Sequence, residues 1–176
     1  MSGGKSAQQI VSLLNEAQAL ATKDLFIENI LQPGIIKELI MASVLGHDII
    51  PQKDMPDAKD QAGNTYEYLA SINRMGVKTN RGCSFQIDRI TKRNLSRITR
   101  NVAFYFGIFK THLELDEIWR IETDTIVREV QRQLKGCKNE IAHVNFLSKW
   151  VKEMGSRVYP QASQLVAEGD ANTCAP

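Results

Sequence analysis

The sequence predicts an α/β fold in which a mixed central β-sheet is flanked by helices. The first observation is a short apolar run at 102–110, which fits a strand buried in the middle of a sheet. The second is the order of patterns, with helical apolar spacing before residue 46 and after residue 123 and strand-like segments between them. The 176 residues suit one domain with a sizeable core, which we expect to span 1–165.

Two helices are predicted in the first third of the chain. Apolar residues from Ile10 to Ala21 recur at helical spacing and predict an amphipathic helix over 8–22. Residues 34–45 predict a second, more apolar helix. Gly46 is suited to end that helix, because glycine adopts a positive φ without strain.

The segment 53–73 predicts two short strands joined by a turn. An extended stretch at 48–51 leads into it, and residues 60–64 are rich in the residue types that form turns. Residues 65–69 have strong strand propensity, which predicts the second strand of a hairpin.

A basic helix and two strands are predicted after the hairpin. Residues 86–100 predict the helix, although their apolar positions match helical spacing only approximately. The apolar strand at 102–110 follows, and alternating apolar residues over 113–121 predict the next strand.

The last third of the chain predicts one clear helix. It spans 123–134, with Thr123 or Asp124 as the N-cap. Residues 143–154 are amphipathic and short, and their pattern does not decide between helix and strand. We expect the tail at 166–176 to be disordered.

Bulk properties exclude several classes of protein. The three cysteines lie far apart without C-x-x-C spacing, which argues against a zinc site and favours a reducing, cytoplasmic setting. The first nine residues lack the apolar segment of a secretory signal, and charges interrupt every long apolar stretch, so no membrane span is expected. The net charge of +2 neither favours nor excludes nucleic acid as a partner.

Asp57 and Glu67 form the most informative pair of residues in the sequence. A turn at 60–64 would fold the strand carrying Asp57 back beside the strand carrying Glu67. Two carboxylates placed together repel each other and call for a cation, and Mg²⁺ prefers such hard oxygen ligands. A metal held there would suit phosphodiester hydrolysis. The alternative is an ordinary strand pair with surface carboxylates, which spacing alone does not exclude.

The residues around this pair resemble the active-site hairpin of PvuII-type restriction endonucleases, which belong to the PD-(D/E)xK nuclease superfamily. The matching motifs are Pro56-Asp57-Ala58, Asp60-x-Ala62-Gly63, Tyr66-Glu67 and Ser71-Ile72-Asn73. Weaker similarity in the flanking helix and later strands extends the resemblance from about residue 25 to 122.

The resemblance implies a Mg²⁺-dependent enzyme that cleaves double-stranded DNA at a short palindromic or near-palindromic site. It implies that Asp57 and Glu67 are the catalytic, metal-binding carboxylates. Glu38 is a candidate contributor to a second metal or a water network, unless it belongs to a solvated helix face. The products would carry 5′-phosphate and 3′-hydroxyl ends, and a cognate DNA methyltransferase in the same host would protect the genome.

The chain departs from the family pattern at Leu69, where the family has a lysine two residues after the glutamate. Three explanations compete, and the first is a register that differs by one residue, so that Ala70 marks the altered position. The second is a lysine function that has moved to another element, with the three candidates Lys59, Lys78 and Lys92. The third explanation is a catalytically impaired or inactive DNA-binding protein with a nuclease fold. We favour a function moved to another residue, since the rest of the hairpin is intact.

A cluster of basic residues follows the hairpin and predicts a DNA-binding face. Between residues 74 and 100 the sequence has eight lysines and arginines and one acidic residue, Asp88. Arginine, aspartate and amide side chains read base edges, whereas lysines and further arginines contact phosphates. The candidate DNA-binding residues are Ser84, Gln86, Asp88, Arg89, Lys92, Arg93, Asn94 and Arg97. The alternative is a solvated basic helix that pairs with acids such as Asp54 or Asp60.

The N-terminal helical region, 8–31, is the predicted dimer interface. A homodimer with twofold symmetry fits the cutting of both strands of a symmetric DNA site. The three histidines, His47, His112 and His143, show no partner in the sequence and are expected to be ordinary core or surface residues.

Overall fold

The computed structural model describes residues 3–52, 54–73, 83–91 and 95–160. The helices of these residues are α1 (Gly3–Leu25), α2 (Ile35–Leu45), α3 (Ser96–Thr99), α4 (Thr123–Lys135) and α5 (Ser148–Met154). The strands are β1 (Asp48–Ile49), β2 (Ala58–Lys59), β3 (Thr65–Ile72), β4 (Ser84–Thr91), β5 (Ala103–Phe109), β6 (Leu115–Glu122), β7 (Ile141–Leu147) and β8 (Ser156–Tyr159). None of the described helices has the length and apolarity that a membrane span requires.

The main sheet has six strands in the order β1-β2-β3-β5-β6-β8. Strands β3 and β5 are parallel and the other neighbours are antiparallel, which confirms the predicted α/β fold with a mixed central sheet. All seven residues of β5 are buried, as expected of the apolar run at its position. Strands β4 and β7 form a separate antiparallel ribbon.

The two faces of the sheet pack against different layers. Phe104 and Phe106 face a cluster that contains the apolar sides of α4, β4 and β7. Tyr68 and Tyr105 face the opposite cluster, which contains Met41 of α2. Because side chains alternate along a strand, β3 directs Glu67 and Leu69 to one face and its tyrosines to the other.

The predicted basic helix over 86–100 is wrong. Residues 86–91 belong to strand β4, and among the described residues of the segment only Ser96–Thr99 is helical. Phe85 and Ile87 alternate with exposed neighbours at strand spacing. The pairing of β4 with β7 is irregular between Ile87 and Ile90, so two exposed residues separate these two buried ones. The spacing of the buried residues therefore resembles that of a helix.

Smaller corrections concern the ends of elements. Helix α1 is longer than the predicted 8–22, and α4 begins after Glu122 as N-cap rather than after Thr123 or Asp124. The Thr123 hydroxyl instead donates to the backbone oxygen of Asn101 at 2.7 Å. The undecided segment 143–154 contains most of β7 and all of α5.

Other predictions about the chain are confirmed or lie outside the described residues. Helix α2 ends as predicted at Gly46, whose φ of +69° is left-handed. The predicted hairpin strands and the strands at 102–110 and 113–121 correspond to β2, β3, β5 and β6. The tail at 166–176 is outside the described residues, and the single domain over 1–165 stays a prediction.

Candidate active site

Asp60 holds the turn of the β2–β3 hairpin. Its Oδ1 accepts hydrogen bonds from the backbone N–H groups of Ala62 and Asn64, both at 2.9 Å. Its Oδ2 accepts from the Asn64 side chain and from the Tyr66 hydroxyl, each at 2.9 Å. These bonds, chiefly that from the Asn64 side chain, lower the pKa of Asp60 to about 2. Gly63 completes the turn with a φ of +84°.

Asp57 lies just before β2, in a position that the hairpin register determines. Its backbone N–H donates to the carbonyl oxygen of Tyr66 at 3.0 Å. Its side-chain Oδ2 accepts the backbone N–H of Tyr68 at 2.7 Å, which holds the carboxylate beside the peptide that follows Glu67. Burial raises the pKa of Asp57 to about 6, against the opposing effect of the Tyr68 N–H.

Glu67 is a buried acid on β3, with 5% of the residue exposed. Its Oε1 accepts from Nη2 of Arg97 at 3.4 Å. Its Oε2 is buried and has no hydrogen-bond partner among the described residues. Burial, and next the charge of Asp57, raise the pKa of Glu67 to about 7.

The donor set of these two acids fits a divalent cation. Each carboxylate disfavours ionisation of the other. A cation between them would reduce this repulsion and would provide a partner for the buried Oε2 of Glu67. Within the described ranges, no group of three or more His, Cys, Asp or Glu residues could hold a metal ion. A metal that takes one or two carboxylates and completes its shell with water and phosphate therefore fits better than an all-protein site.

Glu38 lies on the first turn of α2, on the side of Asp57. Burial, followed by the charge of Asp57, raises the pKa of Glu38 to about 7. A side chain at Gly34 would begin 3.0 Å from Oε1 of Glu38, so the glycine leaves space for this carboxylate. The contribution of Glu38 to a second metal or a water network stays a prediction.

The side chain of Leu69 packs against the core, so this position supplies no charged group to the site. It packs against the cluster around Phe104 and Phe106, whereas Ala70 packs against the opposite cluster. Strand β3 pairs with β5 in continuous register from Tyr66 to Ile72. Ala70 therefore faces away from Glu67, which argues against a register shifted by one residue.

The structure places only one of the three candidate lysines. Lys59 is exposed at the end of β2 and lines a cavity of about 480 Å³ together with His47 and Asp48. Lys59 forms no ion pair with Asp57 or Glu67 in the part of the chain that the structure describes. Lys78 and Lys92 lie outside the described residues.

Two arginines from the segment before β5 influence the carboxylates, Arg97 by contact with Glu67 and Arg100 through its charge. The charges of Arg97 and Arg100 both lower the pKa of Asp57 and of Glu67, against the larger effect of burial. The Thr65 hydroxyl donates to the backbone oxygen of Arg100 at 2.9 Å, which ties the start of β3 to this segment. Sequence reasoning assigned Arg97 to a phosphate contact and missed its neighbour Glu67. No signal in the neighbouring residues predicted this contact, because it depends on the parallel pairing of β3 with β5.

The β4–β7 ribbon presents the other candidate DNA-binding residues. Ser84, Gln86, Asp88 and Arg89 are exposed on β4, and Arg89 has a φ of +57° beside the irregularity in pairing. Lys92, Arg93 and Asn94 lie outside the described residues.

His143 has partners that sequence reasoning missed. From β7 its Nδ1 approaches Oδ1 of Asp88 at 2.7 Å and Nε2 of Gln86 at 3.2 Å. Gln86 also donates to Asp88, and these contacts lower the pKa of Asp88. The cluster joins residues far apart in the chain, so only the strand pairing brings them together.

An aromatic group packs behind the hairpin, on the face opposite Glu67. His47 stacks on Tyr66 with ring centroids 4.6 Å apart, and its Nδ1 lies 2.7 Å from the hydroxyl of Tyr68. Tyr105 of β5 meets all three rings edge-on or nearly so. This packing positions the β3 peptides that carry Glu67 and bind Asp57.

A comparison with family models identifies a family for this chain. The model described as restriction endonuclease PvuII matches residues 4–159. The match extends the resemblance seen at about 25–122 in both directions and includes Asp57, Glu67 and nearly all of α1. A comparison with curated proteins finds no match.

Proposed function

The chain belongs to the PvuII restriction endonuclease family, and on that premise we propose that it is a Mg²⁺-dependent type II restriction endonuclease. Its substrate is double-stranded DNA with a short palindromic or near-palindromic site, and both strands are cut. The observation that carries the proposal is the buried pair Asp57 and Glu67, which has raised pKa values and an unpartnered carboxylate oxygen. A site with this charge and burial suits a metal ion that contacts a phosphate.

Asp57 and Glu67 are the residues that would hold the metal. When bound, Mg²⁺ supplies a water of lowered pKa and stabilises negative charge at the phosphorus. The backbone N–H of Tyr68 orients Asp57, and the turn at Asp60 sets the register of the two strands. The reaction consumes one water and leaves a 5′-phosphate and a 3′-hydroxyl.

The β4–β7 ribbon, together with the basic residues of the sequence from 74 to 100, is the proposed DNA-reading surface. The exposed Gln86, Asp88 and Arg89 offer donors and acceptors of the kinds that read base edges. The ribbon connects to the site through Arg97, which donates to the backbone oxygen of Asp88 at 3.4 Å. Arg97 and the basic residues outside the described part supply positive charge for phosphates.

Helix α1 supports the proposed homodimer. Five large apolar side chains between residues 10 and 20 of this helix are exposed, namely Ile10, Val11, Leu13, Leu14 and Leu20. The helix joins a small core cluster through Ala21, near its C-terminal end. A second copy that covers the exposed side would bury these residues and place two sites around a twofold axis. A cognate DNA methyltransferase in a cytoplasmic setting completes the proposed restriction system.

Digestion of a long unmethylated DNA with Mg²⁺ tests the proposal. We expect discrete fragments from the wild-type protein and none from Asp57→Asn or Glu67→Gln, which change charge with little change of shape. Asp124→Asn is the matched control, since Asp124 is exposed on α4. Discrete fragments from the two site variants would contradict the assigned carboxylates. End sequencing of wild-type fragments gives the recognition site.

A DNA-binding protein without nuclease activity is the second candidate. The core packing of Leu69 favours it, because no cation extends from that position toward the carboxylates. It predicts binding with steep salt dependence and no cleavage at any Mg²⁺ concentration. Discrete Mg²⁺-dependent fragments would exclude it.

A further inference from the structure

Arg97 is the ion-pair partner of Glu67 in the described part of the chain. Nη2 of Arg97 lies 3.4 Å from Oε1 of Glu67, and the side chains are 46% and 7% exposed respectively. One end of the contact is therefore buried in the site and the other reaches solvent. A DNA phosphate could approach Arg97 from the open side without entering the core.

The backbone of Arg97 is fixed by neighbouring contacts, whereas the contacts of its side chain are weak enough to be replaced by others. Ile98 is 1% exposed and anchors α3 in the core, and the Asn101 amide donates to the backbone oxygen of Arg97 at 3.0 Å. The two guanidinium contacts, to Glu67 and to the backbone oxygen of Asp88, are both 3.4 Å long. Bonds of that length are weak, and a guanidinium has five N–H donors.

Other described residues are less suited to supply this cation. Leu69 packs into the core. Arg100 donates to the backbone oxygen of Asp54, and its Nε and Nη2 atoms are buried without a partner in the described residues. Lys59 forms no ion pair with the carboxylates within the described ranges.

We propose that Arg97 is a catalytic residue that contacts the phosphate being cleaved and takes the charge-stabilising role of the lysine absent at Leu69. The proposal rests on the proposed nuclease function. In the step, water oxygen bonds to phosphorus and the bond to the 3′ oxygen breaks. The attacking water loses its proton to solvent, and the 3′ oxygen takes one up. Arg97 contributes N–H donors and positive charge and takes no part in the proton transfers.

The test compares Arg97→Gln and Arg97→Lys with Arg128→Gln, an exposed arginine on α4. Single-turnover cleavage at saturating DNA and Mg²⁺ removes effects on binding. We expect Arg97→Gln to slow cleavage by about 10²–10³-fold and Arg97→Lys by about tenfold, as for other groups that stabilise transition-state charge. The Arg128 variant should cleave at the wild-type rate.

A second readout separates catalysis from a structural role. Binding of Mn²⁺ without DNA is measured by calorimetry at about pH 8.5, where acids with moderately raised pKa values are ionised. Arg97→Gln should bind Mn²⁺ as tightly as the wild type or a few-fold more tightly, because a positive charge beside the metal is removed. Slow cleavage together with intact metal binding is the expected signature.

Several outcomes would overturn the assignment. Cleavage by Arg97→Gln at the wild-type rate would show that Arg97 has no role in the reaction. It would not contradict the proposed nuclease function. Loss of Mn²⁺ binding together with cleavage would show that Arg97 only maintains the site. Failure of the wild-type protein to cleave any DNA would contradict the proposed function and this inference together.

Discussion

The backbone N–H of Tyr68 donates to Oδ2 of Asp57 at 2.7 Å, so the acid before β2 is bound to the strand that carries Glu67. Both partners of this hydrogen bond belong to the hairpin, so the bond forms without a ligand. The two carboxylates are therefore brought together by folding, at the expense of their ionisation. A buried carboxylate pair that folding brings together has consequences that stability and activity measurements can detect.

Glu67→Gln should stabilise the metal-free protein at pH 8. The pKa of Glu67 is raised from 4.5 to about 7, so the folded state holds this proton more tightly than the unfolded state. The free energy of unfolding thus decreases as pH rises from about 4.5 through about 7, and glutamine removes that penalty. We expect a gain of about 1–3 kcal/mol at pH 8 and none at pH 4, measured by urea unfolding.

The exposed residue Glu140 provides the control for this measurement. Glu140→Gln should leave the pH dependence of unfolding unchanged. Addition of Mg²⁺ at pH 8 should raise the stability of the wild type more than that of Glu67→Gln. If the free energy of unfolding of Glu67→Gln and of the wild type depends on pH in the same way, burial does not raise the pKa of Glu67.

Asp60→Ala should reduce DNA cleavage by weakening the hairpin, since Asp60 is not one of the proposed metal ligands. The substitution removes the acceptors for Ala62, Asn64 and Tyr66, so the register that positions Asp57 is less well fixed. We expect a loss of about tenfold or more in single-turnover rate, as for a misplaced catalytic group. Faster hydrogen exchange at the Tyr68 amide should accompany it. Gln61→Ala, in the same turn, is the control and should do neither.

Leu69→Lys tests whether the missing family lysine limits activity. If Arg97 supplies the cation, the lysine should change little in the wild-type background and should partly restore cleavage in Arg97→Gln. The substitution is expected to cost about 1–3 kcal/mol of stability, because Leu69 packs against the core. Leu69→Met is the control for packing. A large gain in cleavage from Leu69→Lys alone would show that the site lacks a working cation.

Helix α1 should mediate dimerisation through its apolar side. Ile10→Glu combined with Leu13→Glu places charges on two side chains that are each 57% exposed. We expect a monomer of folded protein in analytical ultracentrifugation, since the two residues contribute little to the core. Gln8→Glu, on the opposite side of the helix by helical spacing, should leave the dimer intact. A dimer that survives the double substitution would move the interface elsewhere.

Local patterns predicted the hairpin, whereas contacts between distant segments were not predictable. Turn formers at 60–64 and alternating residues in β3 are sufficient to bring Asp57 toward Glu67. The contact of Arg97 with Glu67 depends on the parallel pairing of β3 with β5, which no neighbouring residues encode. The pairing irregularity beside Arg89 interrupted the alternation of β4, and the segment was therefore mistaken for a helix.

The turn and the buried carboxylate pair respond to acid in different pH ranges. Asp60 has a pKa of about 2, whereas Asp57 and Glu67 have values of about 6 and 7. In mildly acidic solution the carboxylates hold protons and compete poorly for metal, while the hairpin keeps its hydrogen bonds. Mild acid should thus neutralise the carboxylate pair while the strand pairing that positions it stays in place.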